Sequence, residues 1–401
     1  MISKRDLFLN HVAQTSPLSM MLEIESAEGM YIYDSSGKEY LDLNSGISVS
    51  SLGHRHPAII SAVKSQLDKH LHTMVYGEHI QSPQIKYASL LTQKLGNGLD
   101  SVYFVMTGSE AVEGAIKLAK KYTGRYNFIS CATAYHGSTM TAEALRSDYS
   151  FSRAFMPSMP GVKHIDFNDE DALSKIDHKT AAIILEPVQA ESGVNPPQND
   201  YLKKVRKQCD RVGALMILDE IQTGFGRTGH LFAHKKYGVV PDILLISKSM
   251  GGGMPIGAFV APIHIMKHIS DSPALGHITT FGGHPVCTAA ALATLETITE
   301  GTLIPDVLEK EKLFLSLLKH EIIKEVRSSG LMMAVELTRR KYLKHVVNNT
   351  IEQGALIDYF LFNNKSFRLA PPLIITDEEI KKACKIILQA CDYALNQYYR
   401  D

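Results

Sequence analysis

Two apolar runs, LMIL at Leu215 to Leu218 and ILLI at Ile243 to Ile246, are short, unbroken and bounded by turn signals. A half-exposed strand would alternate; runs of this kind predict strands covered on both faces of a parallel sheet. SVYFVM (Ser101 to Met106), Asn127 to Cys131 and the start of AAIILEPVQAESGV (Ala181 to Val194) predict further strands. Between them the period changes. TGSEAVEGAIKLAKKYTG places Ala111, Ala115, Leu118 and Ala119 on one face of a helix, with Thr107 and Glu110 as a capping box. Nearer the N-terminus, GMYIYDSSGKEYLDLNSG alternates about the turn Asp34 to Gly37, a hairpin pattern, and Pro57 can open a helix at its first turn. Beyond Cys287 to Ile298, a long linking helix, come the strand GLMMAVEL, the segment FRLAPPLIIT and an amphipathic helix capped by Thr376 and Glu379. Strands alternating with helices give an α/β class with a mostly parallel sheet.

Composition narrows the partners more than the fold. The 401 residues can bury a large core and are expected to form two lobes. Lys plus Arg and Asp plus Glu are both 42, so the net charge is zero, against the basic surface that nucleic acid or an anionic membrane would call for. The cysteines at 131, 209, 287, 384 and 391 are odd in number, with no CxxC or zinc-like spacing, which fits a reducing cytoplasm. His54 and His56 have no third ligand nearby, so a structural loop is expected there and no metal. MISKRDLFLNHVAQTSP lacks the apolar core of an export signal, and no run approaches a membrane span.

The chemistry gathers where the two central runs end. The first meets Asp219 and Glu220 and the second Lys248, 29 positions on from Asp219. Ligands of open α/β sheets collect at the carboxyl ends of the strands, which brings one carboxylate and one amine to a single crevice. A plain ion pair at the sheet edge would account for them. So would a pyridine cofactor, with the acid holding a ring-nitrogen proton and the lysine forming an imine with an aldehyde. Gly108 and Ser109, between a strand and a helix start, suit an anion. Gly224 to Gly229 spells GxGxxG, but DEIQT separates it from its strand and no helix opens after it, so a nicotinamide-dinucleotide reading is rejected.

Asp219-Glu220, Gln222, Gly224, Asp242, Lys248 and the glycines after it together resemble the signature of the class III pyridoxal-phosphate aminotransferases, acetylornithine and ornithine aminotransferases among them. The likeness runs from about residue 20 to residue 376 and takes in LGHRHP, TGS, AYHG and TFGGHP, the last with His284 for the commoner Asn. It implies a fold type I transferase: an N-terminal segment of a small domain (1–50), a large cofactor-binding domain (51–298) and a C-terminal small α+β domain (299–401). It further implies that Lys248 carries pyridoxal 5'-phosphate and moves the proton. Asp219 would hold the pyridine nitrogen, Gln222 the ring oxygen and Tyr135 the ring face. Gly108 and Ser109 would hold the phosphate, joined by Thr280 from a second copy, in a homodimer with its sites at the interface. Glu191 would act as a gate on Arg368, which binds the carboxylate of glutamate or 2-oxoglutarate.

The implied reaction passes an amino group from an ornithine-, acetylornithine- or 4-aminobutyrate-like donor to a 2-oxo acid. One departure matters. Where acetylornithine and ornithine aminotransferases carry a carboxylate-binding arginine, this chain has Ser138. Either Arg146 or Arg153 supplies that charge, or the acceptor is another oxo acid such as pyruvate. Decarboxylase and aminomutase relatives are disfavoured by Glu191.

Overall fold

The central apolar runs lie side by side in one seven-stranded sheet in the computed structural model, which describes residues 2–17 and 19–398. Three N-terminal strands come first: β1 (Ile24–Glu28), β2 (Tyr31–Asp34) and β3 (Glu39–Asp42). The large sheet then uses β4 (Ser101–Val105), β5 (Asn127–Cys131), β6 (Val162–Ile165), β7 (Thr180–Leu185), β8 (Leu215–Asp219), β9 (Ile243–Ile246) and β10 (Gly257–Ala261). Their order is β4-β10-β9-β8-β7-β5-β6. Among the described strands of this sheet β10 alone runs against its neighbours, β4 and β9; the remaining pairings are parallel. The carboxyl ends of β4, β5, β7, β8 and β9 therefore share one edge. This is the α/β, mostly parallel arrangement that the apolar runs predict.

The lack of alternation has a direct cause. Ile183, Met216, Leu218 and Leu244 face a core covered by helices Pro57–Leu67, Ser82–Leu95, Tyr201–Val212 and Pro285–Thr299. Ala182, Ile184, Leu215, Ile217 and Leu245 face the opposite core, under helix Gly108–Thr123. Both faces are apolar because both are covered. Gly114 of that helix lies so close to the sheet that a β-carbon there would come within 2.2 Å of the Phe259 ring. The capping box forms as the sequence predicts, with the Glu110 N–H donating to Thr107 Oγ1 and the Glu110 carboxylate accepting from the Thr107 N–H.

Two smaller sheets flank the large one. Strand β13 (Ala355–Leu356) adds parallel to β3, extending the hairpin β1-β2-β3. The second has the order β11-β12-β15-β14, from Ile323–Ser328, Met333–Leu337, Ser366–Leu369 and Asp358–Tyr359. Leu41 and Leu43 share a core with Val335, Phe367 and Ile387, so the N-terminal strands pack on C-terminal elements. Positions 1 and 399–401, the outermost ends of the two terminal segments, lie outside the described residues.

Gly224 to Gly229 is a series of turns, not a strand-to-helix junction. Within it Arg227 is fully buried and donates to Leu331 O at 3.1 Å, to Pro371 O and to Ser51 Oγ at 3.0 Å. Burial brings its guanidinium pKa down to about 9, opposed by Asp42. His54 bonds Asp42 Oδ2 through Nε2 at 2.9 Å, the structural role expected for that loop. All five cysteines are buried and free. No described helix is long and apolar enough to cross a membrane.

Candidate active site

Five of the strands that end at the shared edge of the large sheet contribute to one cavity of about 150 Å³. Gly108 and Ser109 follow β4, Tyr135, His136 and Gly137 follow β5, and Glu186 follows β7. Asp219 ends β8, with Ile221 and Gln222 just beyond, and Ser247 and Lys248 follow β9. Of the residues singled out from sequence, the cavity gathers Lys248, Asp219, Gly108, Ser109, Tyr135 and Gln222. It does not gather Thr280, which is exposed beside Glu113 and His277, outside the protomer's own cavity.

Lys248 is held on a constrained backbone. Its φ is +48°, the left-handed region that costs a side-chain-bearing residue about 1–3 kcal/mol. Hydroxyl contacts on either side hold it there: Ser247 Oγ donates to Ile256 O at 2.7 Å and Ser249 Oγ to Ser48 O at 2.6 Å. Burial brings the Lys248 amine down to about 8; Glu191 opposes the shift and Arg368 adds to it. The amine is thus largely neutral above about pH 8, where an ordinary lysine is charged. Uptake of an aldehyde by this amine is expected to accelerate with pH and level off near 8. Stopped-flow mixing of apoprotein with pyridoxal phosphate across pH 6–10 measures it, and a rate still climbing towards 10.5 would contradict a depressed amine.

Asp219 faces the cavity with its side chain held in place. Its Oδ2 bonds His136 Nδ1 at 2.7 Å and its Oδ1 accepts the Ile221 N–H at 3.0 Å. His136, given no catalytic part in the sequence reading, is buried in the cavity wall with Nε2 unpartnered. Glu186, directly after the apolar run that ends at Leu185, is a second carboxyl there. It accepts from the Ala190 N–H at 2.9 Å, and burial raises it to about 7, opposed by His136 and reinforced by Asp219. Both were within reach of sequence reasoning: Glu186 ends a buried run as Asp219 does, and His136 adjoins Tyr135.

The opposite end of the cavity is shaped for a compact anion. A β-carbon on Gly137, whose φ is +131°, would come within 2.2 Å of Ser109 Oγ, so glycine keeps that cradle open. Ser109 Oγ accepts the Ser138 N–H at 3.3 Å at the start of the 16-residue helix Gly108–Thr123. A recessed amine, a fixed carboxylate, an aromatic ring and a helix N-terminus with a serine are the donor set that pyridoxal phosphate requires, and the residues fit it.

Glu191 and Arg368 meet. Arg368 Nη2 lies 2.7 and 2.6 Å from the two carboxylate oxygens, and both side chains are buried. One nitrogen holds both oxygens, so this is not the fork-to-fork geometry of a bidentate pair. β15, which carries Arg368, lies between β12 and β14 and is not an edge strand. Burial alone would raise the Glu191 carboxyl, but Arg368, Lys248 and the Gln222 amide outweigh it and hold it below the usual range. Gln222 Nε2 donates to Glu191 Oε1 at 3.1 Å, which ties this pair to the cavity wall.

The two candidates for the charge missing at Ser138 separate clearly. Arg153 is exposed on a single 3₁₀ turn. Arg146 is largely shielded from solvent, pairs with Glu143 Oε1 at 3.0 Å and lies over the Tyr135 ring at 5.2 Å.

This geometry has close counterparts. The chain matches the family model for aminotransferase class III over residues 12–391. It is 42% identical over 365 residues to the acetylornithine aminotransferase of Methanocaldococcus jannaschii, covering 88% of this chain and 89% of that protein. It is 38% identical to the acetylornithine aminotransferase of Caldanaerobacter subterraneus subsp. tengcongensis, covering 90% and 92% of the two chains. Among solved structures, the ornithine aminotransferase of Toxoplasma gondii, which has PLP at partial occupancy in its active site, superposes with a TM-score of 0.91 at 31% identity. That match covers 99% of this chain and 96% of the other. The N-acetylornithine aminotransferase of Stenotrophomonas maltophilia gives 0.81 at 29%, over 94% and 98%. The chain belongs to the class III aminotransferases and is, with them, a pyridoxal-phosphate-dependent transaminase.

Proposed function

We propose that this transaminase takes its amino group from a donor of the acetylornithine, ornithine or 4-aminobutyrate type and delivers it to 2-oxoglutarate. The observation that carries the reading is the buried Glu191–Arg368 pair beside Lys248. An arginine held by a displaceable carboxylate binds an incoming carboxylate when one is offered, and stays neutralised when the donor has none to place there.

When bound, pyridoxal phosphate supplies the aldehyde that receives the amino group and a ring that accepts the charge left on the substrate carbon. The chain's own residues do the rest. Lys248 would hold the aldehyde at rest; displaced by the incoming donor amine, its freed amine, depressed to about 8, would take the proton from the substrate carbon and deliver it to the cofactor carbon. Asp219, aligned by His136, keeps the ring nitrogen protonated. Tyr135 would cover the ring face, Gly108 and Ser109 would hold the phosphate, and Gln222 would meet the ring oxygen; all four line the cavity. Thr280, exposed in the protomer, serves the phosphate of a second copy, so the active enzyme is a homodimer. The division into 1–50, 51–298 and 299–401 belongs to the same reading, supported by the core that Leu41 and Leu43 share with C-terminal residues. So does a cytoplasmic location, supported by five free cysteines.

The test is the visible spectrum of the cofactor-loaded protein before and after L-glutamate alone. Loss of the lysine-bound cofactor band and gain of the amine-form band is the expected result. A band that ignores glutamate but responds to L-alanine moves the acceptor to pyruvate, the outcome that the uncharged Ser138 would favour.

A further inference from the structure

Ser138 stands where the resemblance places an arginine, and Arg146 meets the same tyrosine as Ser138 does. Arg146 is ten-elevenths buried by side-chain exposure, at 9%, and its Nε is a buried donor without a partner. A stranded guanidinium N–H in an interior is costly unless something arrives to accept it. Three rings surround the guanidinium: Tyr135 at 5.2 Å, Phe151 at 5.1 Å and Phe362 at 5.8 Å. Tyr135 lines the cavity that holds Lys248, and its hydroxyl lies 3.1 Å from Ser138 Oγ. Arg146 and Ser138 therefore contact the same ring.

The arrangement repeats the one around Arg368. There a buried arginine is paired with a glutamate and lies over Phe360 at 4.7 Å; here an arginine is paired with Glu143 and lies over Phe362. The two aromatics sit on one loop, whose Leu361 and Phe362 N–H groups bond Glu191. Two arginines, each with its own resting counter-ion, thus share one loop, and Arg146 reaches the Lys248 cavity through the Tyr135 that lines it.

We infer that Arg146 is the second carboxylate-binding residue of this enzyme, replacing an arginine at position 138, with Glu143 as the counter-ion that the substrate displaces. The inference rests on the glutamate reading above and sharpens it: at one stage of the cycle the substrate is an amino acid with two carboxylates, one for Arg368 and one for Arg146. Arg146 holds substrate without touching the reacting atoms, so its loss weakens binding of two-carboxylate molecules and spares those with one.

The experiment compares Arg146→Gln, Arg146→Lys and Glu143→Gln with the native enzyme. The readouts are half-reactions with L-glutamate and L-alanine, calorimetric binding of glutarate, and the visible spectrum. Arg146→Gln is expected to raise the glutamate KM and the glutarate Kd about 50-fold or more, with the alanine KM within about threefold of native and the spectrum unchanged. Arg146→Lys recovers part of the loss. Glu143→Gln moves the opposite way and tightens glutarate, because the competitor for Arg146 is gone. That variant also decides the matter should Arg146→Gln fail to fold. Equal losses for both amino acids would mean that Arg146 only braces Tyr135, and the inference falls. An unchanged glutamate KM, or weaker glutarate in Glu143→Gln, overturns it too. A native enzyme that converts alanine but neither converts glutamate nor binds glutarate removes the two-carboxylate substrate and the inference with it. Absence of any lysine-bound cofactor band would instead be a failure of the transaminase assignment.

Discussion

Replacing Lys248 with alanine is expected to lower turnover by at least about 10⁴-fold, because the proposed mechanism gives one side chain two tasks. It would hold the cofactor aldehyde, and once freed its depressed amine would carry the proton between carbons. The visible band of the lysine-bound cofactor should vanish. The fold should survive, because alanine at position 248 keeps the backbone bonds and the hydroxyl contacts of Ser247 and Ser249 are untouched. Removing an aminoalkyl chain from a left-handed residue costs no packed core. A thermal melt and single-turnover kinetics on the same preparation check both halves. Partial recovery with a small added amine such as methylamine would identify the proton-transfer half. A Lys248→Ala protein that turns over normally would end the mechanism.

Asp219→Asn is the second large effect, with an expected loss of about 10²–10³ in kcat, the cost of deleting one aligned electrostatic partner. Asparagine keeps the shape and can still meet the Ile221 N–H, but it carries no charge to hold a proton on the ring nitrogen. It also changes the partner of His136 Nδ1, which now bonds the carboxylate at 2.7 Å. A charge role predicts that kcat collapses while cofactor still binds through Lys248 and the anion cradle. A purely structural role would show instead as weaker cofactor binding and a lower melting temperature at near-normal kcat, and measuring cofactor Kd and kcat together separates the two.

Lys248 and Asp219 were legible because each is a charged residue placed directly after a buried apolar run, and strand periodicity fixes which edge of the sheet such a residue reaches. The same rule reaches Glu186, which follows the buried run of β7. His136 was harder, since its importance comes from the 2.7 Å bond to Asp219, a residue 83 positions away. Gln222 was placed on the cofactor oxygen by resemblance, whereas its amide is engaged by Glu191. Nothing local distinguishes Arg146 from Arg153. What separates them is the return of Phe362 from the far end of the chain to pack against Arg146 and Phe151. Sequence pattern reports which face of its own element a residue occupies; it is silent on which distant loop folds over it.

Arg227 bears on how this protein can be divided. Its guanidinium meets Ser51 near the start of the chain, and Leu331 and Pro371 near its end, from a loop in the middle. No carboxylate bonds it directly in those contacts; carbonyls and hydroxyls do. If either end is cut away, a buried cation loses acceptors that water cannot replace without opening the interior. The central sheet is therefore not a detachable module, although it has its own cores and seven strands. Grafting another enzyme's C-terminal third onto it would have to reproduce two backbone carbonyls in register, and chimaeras that match only side chains would aggregate.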